Sequence, residues 1–179
     1  QGNTLLQVAK QSIEQGLDKG KPLTVKLSDY AEELQKLRAT FVTLEIHNNL
    51  RGCIGTLLAT RPLVSDVAYH ARAAAFSDPR FPKLRCDEFP LLDIHLSLLT
   101  EPEPMNFDSQ EDLIQQLRPG VDGLILTDGI HKGTFLPSVW ESLHEPRDFL
   151  NHLKRKAGLP ENHWSDTIKV ERYITESIP

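Results

Sequence analysis

Cysteine is scarce in this chain: Cys53 and Cys86 are the only two among 179 residues. They lack the close paired spacing of zinc ribbons and redox motifs. That excludes a disulfide framework and an iron–sulfur cluster of the chain's own, and it leaves a reduced, cytoplasmic protein as the expectation. Long hydrophobic runs are missing as well. No stretch reaches the roughly 20 apolar residues that a bilayer span needs, so no membrane association is expected. Residues 1–20 interleave Lys10, Glu14, Asp18 and Lys19 with apolar positions, unlike the unbroken apolar core of a secretory signal. The first residue is Gln1 rather than methionine, which reads as a trimmed start. Positive charge is not in surplus: 20 basic against 25 acidic residues give a net charge of −5, which disfavours non-specific wrapping of nucleic acid. Repeats and low-complexity tracts are absent.

What is present is an ordinary globular composition. At 39% hydrophobic residues the chain supports a real core, as one domain spanning residues 1–179 with room for a small satellite subdomain. Leu5, Val8, Ala9, Ile13 and Leu17 recur at helical spacing, with Asn3 or Thr4 available as cap and Gly20 beyond the end. A short helix carrying Tyr30, Leu34 and Leu37 is expected after Ser28. The period then changes to two: Val42, Leu44 and Ile46 alternate with polar neighbours, and Asn48 with Asn49 predicts a hairpin turn. That turn sets His47 opposite Leu50 and puts Arg51, Cys53 and Gly55 on the face of Val42, Leu44 and Ile46. A bulge at either glycine reverses the arrangement.

Pro62 opens a helix whose buried stripe is Leu63, Val67, Ala68, Ala71, Ala74 and Ala75. Asp78 to Pro82 form a rigid loop, followed by an alternating strand through Leu92, Ile94, Leu96 and Leu98. Asp108 and Glu111 have the spacing of a capping box for a helix running to Pro119. Asp128 and Gly129 mark a second hairpin with arms 123–127 and 130–136. A helical stretch from Pro137, interrupted near Pro146, resumes over residues 147–157 and closes at Gly158. Residues 167–174 read as a last strand. Hairpins and helices without regular β-α-β alternation predict an α+β fold, with a largely antiparallel mixed sheet and flanking helices.

Chemistry concentrates in Leu50, Arg51, Gly52, Cys53, Ile54 and Gly55. Glycines inside a strand forfeit packing and backbone entropy, so they belong where a ligand or another chain segment comes close. A cation two residues from a thiol can stabilise the thiolate that acts as nucleophile, and alternate strand residues lie about 7 Å apart. Cys53 and Arg51 are therefore the candidate catalytic pair. Gly52, Ile54 and Gly55 are candidate ligand-binding positions, joined by Arg80 and Phe81 from the basic run that continues through Lys83 and Arg85. The competing reading of Cys53 is structural, since free cysteines are often buried.

Other constellations carry less. The spacing of Gly52 and Gly55 matches the backbone-clamping loop of some RNA-binding domains, but those loops join helices and hold basic residues. Asp93, His95 and Ser97 contain triad residue types on one strand face, yet stand about 6–7 Å apart where a triad needs contact. Glu141 and His144 lack the partners of a carboxylate-bridged metal pair, and His47, His70, His131, His152 and His163 are scattered. No intrinsic metal and no cofactor are expected. Lys154, Arg155 and Lys156, with Arg80, Lys83 and Arg85, keep a nucleic-acid reading open.

The LRGCIG block, followed by Thr56 and Leu57, resembles the signature of the AMMECR family, also labelled AmmeMemoRadiSam system protein A. Supporting matches follow in order: Phe41 to Leu44, Asp78 to Phe81, Thr134 to Pro137 with Val139 and Trp140, and Lys156 to Leu159. The resemblance spans most of the chain. It implies two unequal subdomains around a cleft, with the signature strand at or near it. It also implies the company of a Memo-like protein and a radical SAM enzyme, in a pathway modifying a small molecule or RNA. A non-enzymatic adaptor within such a pathway is the alternative.

Overall fold

The computed structural model describes residues 1–179, which divide into two compact units. The first holds residues 1–99 and Glu176–Pro179, and the second residues 100–175. Helices and two four-stranded sheets make an α+β protein, and no helix is long and apolar enough to cross a membrane.

In the first unit, helix α1 spans Gly2–Lys19 and closes on Gly20 in the left-handed conformation (φ 62°). Helix α3 spans Leu63–Phe76, and the predicted stripe from Leu63 to Ala75 is buried in full. Strands β1 (Thr40–Ile46), β2 (Asn49–Gly55), β3 (Leu92–Leu99) and β8 (Thr175–Ile178) form a sheet in the order β2-β1-β3-β8. Val42, Leu44, Leu96 and Leu98 face Leu5, Val8, Ile13, Val67 and Ala71 in one core. The alanines of α3 let the helix lie close to the strands, because each removes the bulk that would hold it off.

Three local expectations are corrected here. Helix α1 begins at Gly2 with Gln1 at the cap position, two and three residues before the expected Asn3 or Thr4, and no side chain caps it. The helix expected after Ser28 is a short 3-10 turn at Leu27–Asp29 and then a four-residue helix α2, Glu32–Gln35, with no side-chain cap. Leu37 lies outside it and is exposed. The hairpin turn is centred on His47 and Asn48, both at positive φ (51° and 64°), so that Ile46 pairs with Asn49 and Glu45 with Leu50. Arg51 is then surplus: Leu44 pairs with Gly52 and Thr43 with Cys53.

That bulge moves Cys53 to the face opposite Val42 and Leu44. Gly52 takes the inward position instead, where a Cβ would overlap the Ala74 carbonyl oxygen of α3. The glycine is needed because a helix backbone, not a ligand, approaches it.

In the second unit, β4 (Glu103–Pro104), β7 (Lys169–Tyr173), β5 (Gly123–Asp128) and β6 (His131–Phe135) form the second sheet, in that order. Helix α4 (Gln110–Gln116) is capped by Ser109, whose Oγ accepts from Asp112 N–H while Asp112 accepts from Asp108 N–H. The cap therefore sits one residue beyond the predicted Asp108 and Glu111. Helix α5 covers Pro146–Lys156, and Trp140 stacks on Phe149 at 3.8 Å beside Phe135 in the core. The expected last strand, residues 167–174, is β7, and β8 follows it as a further strand outside the predicted range.

Candidate functional site

The signature strand β2 turns Cys53 toward the sheet face not covered by α1 and α3. Cross-strand register aligns Cys53 with Thr43 of β1, and Thr43 with His95 of β3. The Cys53 Sγ lies 3.3 Å from Thr43 Oγ1. On the same face His95 Nε2 lies 2.9 Å from Glu45 Oε1, both side chains partly exposed. Two strand spacings, about 10 Å, separate Cys53 from His95, so the imidazole is not positioned to take the thiol proton directly. One row across this face thus carries a half-buried thiol, a hydroxyl and an imidazole, with Glu45 in the adjacent row holding the imidazole.

Behind the thiol, the strand is anchored by the loop after α3. Asp78, almost wholly buried, accepts the Cys53 N–H at 3.0 Å through Oδ2. It also accepts the Arg80 N–H and holds the Arg80 guanidinium at 2.8 and 3.0 Å. The Arg80 side chain, with these two backbone N–H donors, keeps the Asp78 carboxyl well below the usual carboxylate range; Asp78 in turn raises the Arg80 guanidinium. Arg80 Nη2 reaches the Cys53 carbonyl oxygen at 3.4 Å. The cation beside the thiol's backbone is therefore Arg80.

Arg51, the predicted partner of Cys53, is engaged elsewhere. Its Nε and Nη2 donate to the two oxygens of Glu88 at 2.9 and 3.1 Å, and Nη2 also donates to Pro82 O at 2.9 Å. The Arg51 hydrogen bonds pull Glu88 down to about 2. A guanidinium held this way pins β2 to the following loop and is not free for a thiolate. The Phe81 ring is near both cations, its centroid 5.9 Å from Arg51 and 5.5 Å from Arg80. Gly52 and Ile54 face the helix-covered side, Ile54 packing on the core. Gly55 has no room for a side chain because Phe41 and the Thr40 carbonyl flank it.

Two members of the basic runs are engaged within the protein. Arg85 pairs with Asp87 and Glu88, and Lys154 is buried in the second unit, donating to Gln110 and to Glu161 O.

Residues that local patterns hid complete the picture. Thr43, Glu45 and His95 are spaced as ordinary alternating strand positions and come to share a face with the thiol only through register, Thr43 alone being in contact with it. Beneath the sheet, Thr40, Asp66 and His70 form a buried network: Thr40 Oγ1 donates to Asp66 at 2.7 Å and lies 3.0 Å from His70 Nδ1, while Arg61 donates to Asp66 at 2.9 Å. Burial pushes the Asp66 carboxyl up, but hydrogen bonds from His70, Thr40 and Arg61 outweigh it and leave the group below its ordinary value.

Residues 6–178 match the model of the AMMECR1 family. The chain is 37% identical over 171 residues to a protein of Methanothermobacter thermautotrophicus, covering 93% of this chain and 86% of that one. It is 36% identical over 186 residues to a protein of Pyrococcus abyssi, with 98% and 88% covered. The crystal structure of an uncharacterized protein from Pyrococcus horikoshii is similar at a TM-score of 0.87 and 34% identity, over 98% of this chain and 89% of that one.

Proposed function

The chain belongs to the AMMECR1 family, and from that premise we propose that the uncovered face of its first sheet is a substrate surface on which Cys53 is the reactive group. The observation that carries this reading is the row Cys53, Thr43 and His95, with the thiol 3.3 Å from a hydroxyl and the imidazole held by Glu45. A thiolate is the strongest nucleophile available to an unmodified side chain near neutral pH. In this role the Cys53 thiolate, its proton released to solvent, adds to an electrophilic double bond whose displaced electron pair takes up a proton from solvent, Thr43 hydrogen-bonds the sulfur, and His95 exchanges a proton with a group about 10 Å farther along the substrate. Arg80 and Phe81 form the rim that receives its anionic part. The chain then acts as the binding component of a pathway that modifies a small molecule or RNA, beside a Memo-like protein and a radical SAM enzyme.

One observation favours a second reading, that of a non-enzymatic adaptor: the only hydrogen-bonding side chain at Sγ is a hydroxyl, with no base in contact. Complementation separates the two. In a host whose small-molecule or RNA modification profile changes on deletion of the gene, Cys53→Ser should fail to restore the profile while keeping the thermal midpoint. Full restoration by Cys53→Ser rules out the thiol role and leaves the adaptor.

A further inference from the structure

On the opposite side of α3 from the sheet, the helix forms one wall of a trough of about 490 Å³. Ser12 of α1 and the chain segment 22–25 form the others. This volume lies within the range of small-ligand sites. Its floor is apolar, with Leu23, Val25, Ala68 and Ala73 among its lining residues, whereas its charged residues are Arg61 and Arg72, with no carboxylate. In a chain of net charge −5, Arg61 is paired with Asp66, which leaves Arg72 as the guanidinium of the trough with no carboxylate partner.

The helix places these groups in register. Ser65, Ala68, Tyr69 and Arg72 follow at spacings of three and four, so they share one face. Arg61 gives Nη1 to the buried Asp66 and stacks on the exposed Tyr69 ring at 3.7 Å, which fixes its plane. Arg72 is spent less fully. Its Nη2 donates to the Gly20 carbonyl at 3.3 Å, and its Nη1 is buried with no protein partner. The Arg72 charge is thus met in the protein only by a backbone carbonyl, and an anion in the trough would supply the missing counter-charge.

We propose that this trough binds a small organic phosphate, an apolar or aromatic body lying on Ala68, Ala73, Leu23 and Val25 with its phosphate held by Arg72. A phosphate monoester carries close to two negative charges near neutral pH, and guanidinium forks match its oxygens with paired donors. The site is separate from Cys53 and does not depend on the reading given above.

The test uses 1-naphthyl phosphate titrated into the full chain, followed by ligand fluorescence and by amide chemical shifts. Wild type should bind saturably, with shifts centred on Ala68, Tyr69 and Arg72, and binding should weaken as salt rises. Arg72→Met keeps the stem packing and removes the charge, and should weaken binding at least tenfold. Ala73→Phe fills the trough and should abolish binding, both variants melting within a few degrees of wild type. Cys53→Ser should bind as wild type does. Absence of saturable binding by wild type, binding of neutral 1-naphthol equal to that of the phosphate, or an Arg72→Met affinity within twofold of wild type overturns the proposal.

Discussion

Arg51 and Glu88 close a two-point ion pair, Nε to Oε2 at 2.9 Å and Nη2 to Oε1 at 3.1 Å, with only 10% and 18% of their side chains exposed. The pair spans 37 residues of chain and ties the signature strand to the loop beyond α3. The arginine of the signature thus acts as a fastener, and the sulfur two residues on is served by other groups.

Replacing Glu88 with glutamine should lower stability by about 2 kcal/mol near neutral pH, because a mostly buried guanidinium loses its counter-charge. The folded carboxyl lies at about 2 against an ordinary 4.5, so its contribution is fully present above pH 4.5 and is lost as pH falls toward 2. Urea melts of wild type and Glu88→Gln at a series of pH values should therefore converge over that interval. A gap independent of pH would mean that the pair's charge contributes nothing.

Two glycine substitutions should differ sharply. Gly52→Ala drives a methyl into the Ala74 carbonyl, where an α-helix backbone cannot give way, and should cost about 3 kcal/mol or more. Gly20→Ala meets no atom within 4 Å and suffers only from its φ of 62°, a cost of about 1 kcal/mol. Chemical denaturation of both variants checks the ranking.

Thr40→Val should destabilise the first unit by about 1–2 kcal/mol, since Asp66 loses a hydroxyl donor in a site closed to water. The Asp66 carboxyl is held below its ordinary value of 3.8, so its stabilisation is complete above that pH and fades below it. In Thr40→Val the folded value moves back toward 3.8, so the fading should be smaller and end at a higher pH, as followed by circular dichroism during acid titration.

Alkylation of Cys53 by iodoacetamide at neutral pH should slow several-fold in Arg80→Met, because the one cation bonded to its backbone carbonyl is removed. The exposed Cys86 should react equally in both proteins and serves as the internal standard. Peptide mass spectrometry of the two cysteines reads the ratio.

Periodic signals survive into the structure because burial enforces them. Val42, Leu44, Leu96 and Leu98 alternate, the alanines of α3 recur every third or fourth residue, and each set faces one core. The second hairpin and the closing glycines Gly20 and Gly158 were readable for a different reason, since local backbone geometry selects those residues. The first hairpin was not. His47, Asn48 and Asn49 offer overlapping turns, and the choice falls to a distant atom, the Ala74 carbonyl, which admits only Gly52 beneath it. Partners remote in sequence were equally hidden: Glu88 for Arg51, Asp78 for the Cys53 amide, and the Thr40, Asp66 and His70 cluster. Each is a tertiary pairing of residues that look like ordinary solvent-facing polar side chains when read along the chain.

The extra residue at Arg51 has an evolutionary consequence for the loop that bears it. Deleting one residue between Ile46 and Gly52 would exchange odd and even positions along the rest of β2, burying sulfur against α3 and exporting Ile54 to the outer side. Length in this hairpin is therefore constrained more tightly than composition, and variation at its tip should run through substitutions rather than through insertions or deletions of single residues.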